Sequence, residues 1–372
     1  MEQPGLGAGA GAGAGASSAA AAVTALTHIR VAIATYWTKN PHPRKDRWLE
    51  ACVRAVARWP DEPLVRTVGA TVYVNDVGLA RASAAVARVA PLPDGVKLAV
   101  AVSALHGYTM SRAHLSEWAA LAQDPASRFS AFVYLEDDIE LTTAALRAWD
   151  ADEGRLVASG ASGAGFHRGF FRYELSSADD GGQRADGRYV VDERRTRWWN
   201  NGSCAAAATE CGADAAYCAS HPFVRVRRHG LFVALHNSYF AATVATKAHV
   251  AAFARTRGWN RTRHKAYGVR EFSASGIQYY DDFAADRLAP VSGWWPPRER
   301  QDARRILVPV HFFDGPSGAG WRLAADAGLH HLSDRHVRQT IEQAQRFGSF
   351  RENETLRCAP RARRRPPRGG FH

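Results

Sequence analysis

Residues 129–141 read FSAFVYLEDDIEL, an apolar run that ends in three consecutive carboxylates. The segment 132–135 predicts a strand buried on both faces, as in the centre of a parallel α/β sheet. Glu136, Asp137 and Asp138 follow it without a turn residue, at the strand end where open α/β sheets bind ligands. Three adjacent like charges repel one another unless a cation or strong hydrogen-bond donors compensate them. The pattern favours a site for Mg²⁺ or Mn²⁺ carrying a diphosphate, because these ions take oxygen ligands.

The segments on either side alternate between strand and helix patterns. Strands are predicted at 29–36, 70–74, 97–102 and 306–313, and helices at 45–58, 110–121, from 142 and at 246–257. This order predicts an α/β fold with a mainly parallel sheet flanked by helices, built from right-handed crossovers. After residue 150 the pattern changes to short strands and loops, with a partly helical segment over 330–347. We therefore expect a second half of mixed α+β character.

The ends and the charge of the chain say little about a partner. A Gly/Ala-rich leader over 1–27 and a basic tail over 351–372 are predicted to be disordered. The formal net charge is +12, but the Arg residues are scattered and the one dense block, RARRRPPR, is terminal. The charge suits anionic substrates such as nucleotides and does not indicate nucleic acid. No run of about 20 apolar residues predicts a transmembrane segment, and no signal peptide is predicted.

The cysteines and sequons leave the compartment open. Cys204, Cys211 and Cys218 have no Cys-x-x-Cys spacing, so a disulfide in an insertion loop and free thiols are both compatible with the sequence. Asn-x-Ser/Thr sequons at Asn201, Asn260 and Asn353 suit a lumenal glycoprotein but occur often by chance.

Four pieces of the chain resemble GT-A-fold, nucleotide-sugar-dependent glycosyltransferases, loosely of the exostosin-like kind. They are VAIATYW, VYLEDDIEL in place of an Asp-x-Asp (DXD) motif, the pair LHNSYFAATVATKAHVAAF and GVREFSASGIQYYDDF, and GLHHL. The resemblance implies one catalytic domain over 28–350, with a nucleotide-binding half at 28–160 and an acceptor half at 161–350. It also implies a Golgi or secretory compartment, whereas the missing signal and anchor keep the cytoplasm open.

The resemblance implies roles for the acidic triplet. Asp138 would be the principal ligand of Mn²⁺ or Mg²⁺, Asp137 would support or share the metal, and Glu136 would contact the donor ribose. A late histidine would complete the metal shell, and the sequence does not say whether His330 or His331 faces the ion. The alternative interpretation of the triplet is a set of acids at a solvated helix N-terminus.

Other candidate residues line the donor and the acceptor in the same comparison. On the nucleotide side they are Thr35, Tyr36, Lys39 and Asp76. If the sugar configuration inverts, the acceptor hydroxyl needs a base, for which Glu271 is favoured and Asp282, of the pair Asp281–Asp282, is the other candidate. For sugar contacts the candidates are Glu174, Asn237, Trp294 and Trp295.

The sequence thus predicts a metal-dependent glycosyltransferase that moves a sugar from a UDP- or GDP-linked donor to a glycan or glycoprotein acceptor. A nucleotidyltransferase or other phosphoryl-transfer enzyme could use the same acidic strand end. Such an enzyme would need a Gly-rich phosphate-binding loop near the first strand, whereas the segment there, TYWTKNPHPRK, contains no Gly. A noncatalytic, basic nucleic-acid-binding protein is the third possibility and would want basic residues interleaved with aromatics on one face.

Overall fold

The structure is a computed structural model that describes residues 26–105, 107–159, 162, 167–175, 188–191, 199–200, 203–205, 223–226, 230–234, 241–255, 306–315 and 318–333. The predicted leader lies outside these residues up to position 25, and the predicted tail lies wholly outside them. Also outside the described residues are the asparagines of the three sequons and two of the cysteines, Cys211 and Cys218.

The strands, in chain order, are β1 (His28–Thr35), β2 (Thr67–Val74), β3 (Val96–Val102), β4 (Ala131–Glu136), β5 (Ile139–Glu140), β6 (His167–Arg168), β7 (Phe171–Leu175), β8 (Arg188–Val191), β9 (Trp199–Asn200), β10 (Ser203–Ala205), β11 (Phe223–Val226), β12 (Gly230–Ala234), β13 (Ala242–Thr246), β14 (Ile306–Gly315), β15 (Gly318–Leu323) and β16 (Gly328–His331). The α-helices are α1 (Lys45–Ala57), α2 (Leu79–Ala87), α3 (Leu115–Gln123), α4 (Thr143–Ala158) and α5 (Lys247–Phe253). Short 3₁₀ turns cover Trp59–Asp61, Asp76–Gly78, Gly107–Arg112 and Ala325–Ala327.

The central sheet has the strand order β13-β4-β1-β2-β3. The pairs β1–β2, β1–β4 and β2–β3 are parallel, and β13 joins the β4 edge antiparallel. Because parallel neighbours need a crossover, the helices α1, α2 and α3 lie in the connections between these strands. The protein is therefore a mixed α/β fold with a mainly parallel sheet flanked by helices, as the sequence predicts.

Apolar spacing in the sequence explains which faces are buried. Every residue of β4 is buried, in keeping with its uninterrupted apolar run and its place inside the sheet. Helix α1 buries one stripe, made of Leu49, Cys52, Val53 and Val56, at the i, i+3, i+4, i+7 spacing of an amphipathic helix. Helix α4 is capped at its N-terminus by Thr142, whose side-chain oxygen accepts a hydrogen bond from the backbone N–H of Ala145 at 3.2 Å.

One predicted helix differs from the structure, and a second predicted helical segment begins with a strand. The helix predicted over 110–121 is a 3₁₀ turn at Gly107–Arg112 followed by α3, so the prediction merged two elements that the chain separates. Of the segment 330–347, predicted to be partly helical, the structure describes residues 330–333, and the first two of these belong to strand β16. Two partners stabilise that strand, since it pairs antiparallel with β5 and parallel with β7, and tertiary pairing overrides local propensity.

Two further sheets follow the central one. The first has the order β5-β16-β7-β8-β9, and the second has the order β10-β15-β14-β12-β11, with β6 paired to β14. The register of the first sheet sets His330 opposite Glu140 and His331 opposite Ile139. Because β5 begins directly after the acidic triplet, this register brings the late histidines close to the triplet. Within the part of the chain that the structure describes, no helix is long and apolar enough to span a bilayer.

Gly78 gives a test of the packing behind the edge of the central sheet. A Cβ added there would lie 1.9 Å from Cδ1 of the buried Trp37 ring, whereas a Cβ at Gly154, inside α4, meets nothing within 4 Å. We expect Gly78→Ala to lower the free energy of unfolding by about 1–3 kcal/mol, because the ring must move in a packed core. Gly154→Ala should raise it by about 0.5–1 kcal/mol, because glycine disfavours a helix interior. Urea denaturation of both variants measures this, and equal effects would contradict the packing described here.

Candidate functional site

The carboxyl ends of three neighbouring strands meet at one edge of the central sheet. The register sets Ala34 of β1 opposite Glu136 of β4, and Thr35 opposite Val74 of β2. The residues that follow these positions therefore share the edge where open parallel sheets bind ligands. Among the predicted residues, this brings Thr35 and the acidic triplet together.

Asp137 faces inward and is compensated by the chain itself. Its carboxylate accepts a short hydrogen bond from the Thr35 hydroxyl and forms an ion pair with the ammonium group of Lys45, the first residue of α1. The Lys45 side chain is 12% exposed and the Asp137 side chain 7%. A carboxylate this deeply buried is costly without a charged partner, so Lys45 supplies the compensation that the sequence leaves unassigned.

Asn75 fixes the loop that follows β1. Its amide oxygen accepts a hydrogen bond from the backbone N–H of Trp37 at 2.8 Å, and its amide nitrogen donates to the Trp37 carbonyl, also at 2.8 Å. Asn75 and Trp37 are both buried. The strand end of β2 thus holds the backbone of the loop after β1, and the predicted Asp76, which is exposed, begins the 3₁₀ turn next to Asn75.

Asp138 turns away from Asp137, toward β16. Its Oδ2 atom lies 3.0 Å from Nε2 of His331, which is buried while the Asp138 side chain is 19% exposed. The hydroxyl oxygen of Ser333 lies 2.8 Å from the same nitrogen. The backbone also joins the two segments, because the N–H of Leu332 donates to the Asp138 carbonyl at 2.8 Å. A carboxylate, an imidazole and a hydroxyl therefore converge at one partly open point.

Positive charge keeps Asp138 ionised. Burial alone would raise the pKa of its carboxyl, but His331 beside it, with Lys45 and Arg172 further away, holds the pKa well below its usual range. Beneath the edge, Cys52 donates a weak hydrogen bond from Sγ to the Glu136 carbonyl at 3.7 Å. Burial raises the pKa of this thiol, and the charges of the nearby carboxylates raise it further, so it stays neutral.

The two late histidines have different surroundings. The Nδ1 atom of His330 lies 3.3 Å from Oε2 of Glu140, and its ring stacks on Tyr173 with the centroids 5.3 Å apart. His331 contacts Asp138 instead. Adjacent side chains of a strand point to opposite faces of the sheet, so the two imidazoles cannot bind the same metal ion from one face. The sequence leaves open which of the two histidines faces Asp138, and in the structure it is His331.

The pair Asp138 and His331 fits a divalent ion by its chemistry and spacing. Cis ligands of an octahedral ion with bonds of about 2.1 Å lie about 3 Å apart, and the Oδ2 and Nε2 atoms are 3.0 Å apart. Oxygen with one imidazole suits Mn²⁺ better than Mg²⁺. The residues that would hold the ion are Asp138 and His331, with Ser333 close to the same nitrogen.

The other predicted site residues lie at separate positions or outside the described residues. Tyr36 is half-buried, Lys39 and Asp76 are exposed, and Glu136 is buried at the strand end. The backbone of Glu174 lies in β7, in the sheet that carries His331. The candidates outside the described residues are Asn237, Glu271, Asp282, Trp294 and Trp295, and their roles stay predictions.

Sequence reasoning missed Lys45, Asn75 and Ser333. Asn75 carried a signal, since it directly follows a predicted strand, the same signal that points to its neighbour Asp76. Ser333 lies two residues after His331, on the same side of an extended chain, which is a weak signal. Lys45 carried none, because nothing in a sequence tells which of several lysines and arginines near a loop turns inward.

Comparisons with known proteins add no family. No family model and no curated protein matches the chain. Among solved structures, one similar chain is 4-diphosphocytidyl-2C-methyl-D-erythritol synthase from Anaerococcus prevotii, with a TM-score of 0.28 and 7% identity, over 68% of this chain and 85% of that one. Another is mouse xyloside xylosyltransferase 1 in its apo form, with a TM-score of 0.24 and 10% identity, over 40% of this chain and 53% of that one. Similarities this low do not extend a function to this chain.

The different surroundings of the two histidines give a direct test. We expect His331→Ala to weaken Mn²⁺ binding at least about tenfold, because it removes the imidazole beside Asp138. His330→Ala removes an imidazole of the same strand that contacts Glu140 instead, and should change the affinity less than about twofold. Titration of free Mn²⁺ by electron paramagnetic resonance measures both. An equal loss in the two variants would show that the site is not centred on Asp138.

Proposed function

We propose that this protein is a nucleotide-using transferase and, more specifically, a metal-dependent glycosyltransferase that acts on a nucleoside-diphosphate sugar. The observation that carries the proposal is the pairing of Asp138 with His331 at 3.0 Å, at the carboxyl edge of a mainly parallel sheet. The acceptor would be a glycan or a protein-linked glycan.

The charge balance of the site supports a diphosphate ligand. Asp137 is already neutralised by Lys45, so the carboxylate that remains for an incoming cation is Asp138. The charges of Lys45 and Arg172 both act on Asp138, and would act in the same way on a phosphate bound beside it. The edge therefore offers one carboxylate for a metal, in a place where nearby positive charge also favours the phosphates that the metal carries.

In glycosyl transfer, the bond between the anomeric carbon and the diphosphate oxygen breaks, and a bond to the acceptor oxygen forms. A Mn²⁺ or Mg²⁺ ion held at Asp138 would offset the negative charge that develops on the leaving diphosphate. This chain's own part is to hold its ligands in place before the reaction. Thr35 and Lys45 fix Asp137, Asn75 fixes the loop after β1, and the Leu332 N–H fixes the backbone at Asp138. In an inverting transfer, Glu271 or Asp282 would accept the proton of the acceptor hydroxyl.

A thermal-shift panel of UDP, GDP, CMP and ADP, each with and without Mn²⁺, tests the proposal. We expect one of the diphosphates to raise the Tm by several degrees only when Mn²⁺ is present, because Asp138 would hold the cation and the cation would offset the charge of the diphosphate. Asp138→Ala should abolish this shift and any release of nucleotide from the matching sugar donor.

Glu140→Gln is the matched control for that panel. It changes an acid two residues further along that contacts His330, not His331, and it should keep the shift. Circular dichroism shows whether each variant is folded. A nucleotide shift that ignores Mn²⁺, or that survives Asp138→Ala, would contradict the proposed mechanism. Release of pyrophosphate from a nucleoside triphosphate would favour the nucleotidyltransferase instead.

A further inference from the structure

A second cluster of metal-ligating side chains lies apart from the acidic triplet. It consists of Glu153 on α4, His167 on β6 and His249 on α5. One ligand atom from each residue lies within 4.8 Å of those of the other two. None of the three takes part in the site at Asp138, and none was singled out by the sequence pattern. We propose that this cluster, which we call the Glu–His–His cluster, binds a transition-metal ion, with Zn²⁺ as the best fit.

The two imidazoles are held face to edge. Their Nε2 atoms lie 2.8 Å apart, and the ring centroids lie 3.6 Å apart with the planes at 68°. Ligands of a tetrahedral zinc with Zn–N bonds of 2.0–2.1 Å are about 3.3 Å apart. Opening the imidazole pair by about half an ångström would bring both nitrogens to that spacing. The Phe253 ring stacks on His249, with centroids 5.5 Å apart, and limits how the imidazole can turn.

The carboxylate completes the donor set. The Oε2 atom of Glu153 accepts a hydrogen bond from the backbone N–H of Arg168 at 3.1 Å, which fixes the group, and Oε1 lies 4.0 Å from Nδ1 of His167. The Glu153 side chain is only 4% exposed and that of His167 10%. Next to it, the buried Arg168 guanidinium pairs with Asp152 at 3.3 Å, so its charge is already matched. The cluster therefore carries about one negative charge, which a divalent cation would offset.

The protonation states suit a metal. Burial, together with the neighbouring His167 and against the opposing charge of Glu153, lowers the pKa of His249 to about 3, so this imidazole is neutral at pH 7 and has a lone pair to donate. Burial alone would raise the pKa of Glu153, but His167 beside it and the Arg168 N–H hold it below its usual value. Two imidazoles with one carboxylate are a zinc donor set, and they disfavour Mg²⁺ and Ca²⁺.

The three ligands belong to parts of the chain that are far apart in sequence. His249 lies in the helix that follows β13, the antiparallel edge strand of the central sheet, and His167 lies in β6, which pairs with β14 of another sheet. An ion bound by both, and by Glu153 of α4, would cross-link the edge of the central sheet to that second sheet. The expected consequence is a gain in stability on metal binding.

The experiment uses the full-length chain, stripped with a chelator and dialysed. We expect it to take up one tight equivalent of Zn²⁺, counted by elemental analysis, with a rise in Tm of at least about 5 °C. Co²⁺ in place of zinc should give the visible bands of a tetrahedral ion with nitrogen and oxygen ligands. Sulfur-to-cobalt charge-transfer bands would instead assign the metal to the cysteines and overturn the proposal, and so would the absence of any uptake.

Variants locate the metal. His249→Ala should lose the tight equivalent and the rise in Tm, whereas His42→Ala, which removes an exposed imidazole stacked on Trp48, should keep both. If His249→Ala does not fold, Glu153→Gln keeps the shape of the side chain and should weaken zinc at least about tenfold. Asp138→Ala should retain the zinc, so failure of the Mn²⁺ site and failure of this one give different results. Unchanged zinc affinity in folded Glu153→Gln or His249→Ala would overturn the assignment.

Discussion

The rest of the site depends on how buried negative charge is compensated at the end of β4. An apolar strand delivers Asp137 and Asp138 to a place where water reaches them poorly, and an unpaired charge there would cost several kcal/mol. The fold gives each carboxylate a different partner. Asp137 is neutralised by Lys45 of α1 with the help of Thr35, and Asp138 meets His331 of β16. Asp137 thereby has a structural role, and Asp138 remains able to bind a metal ion.

This division connects the early and the late parts of the chain. The pairing of β16 with β5 brings His331 to Asp138 across 193 residues, and the same register turns His330 toward Glu140. The Glu–His–His cluster makes a comparable connection elsewhere, between α4, β6 and α5. At both places, ionisable side chains from elements that are far apart in the sequence lie next to one another.

Much of the fold could be predicted from the sequence, because β4 and its neighbours carry their burial as an apolar run and α1 carries a clear helical stripe. The acidic triplet could also be predicted, because it directly follows the apolar run of β4. The partners of these acids could not be predicted. Lys45 looks like any other cation near a loop, and the choice between His330 and His331 depends on a strand register that no local pattern encodes. The Glu–His–His cluster left no trace, because its three members lie in separate elements.

The most direct test of the central claim is anomalous diffraction at the manganese edge from crystals grown with Mn²⁺ and a nucleoside diphosphate. We predict a peak within bonding distance of Oδ2 of Asp138 and Nε2 of His331, with these two atoms still about 3 Å apart and Asp137 still bound to Lys45. A structure with the nucleotide bound, the contact between Asp138 and His331 unchanged and no anomalous peak between them would contradict that claim.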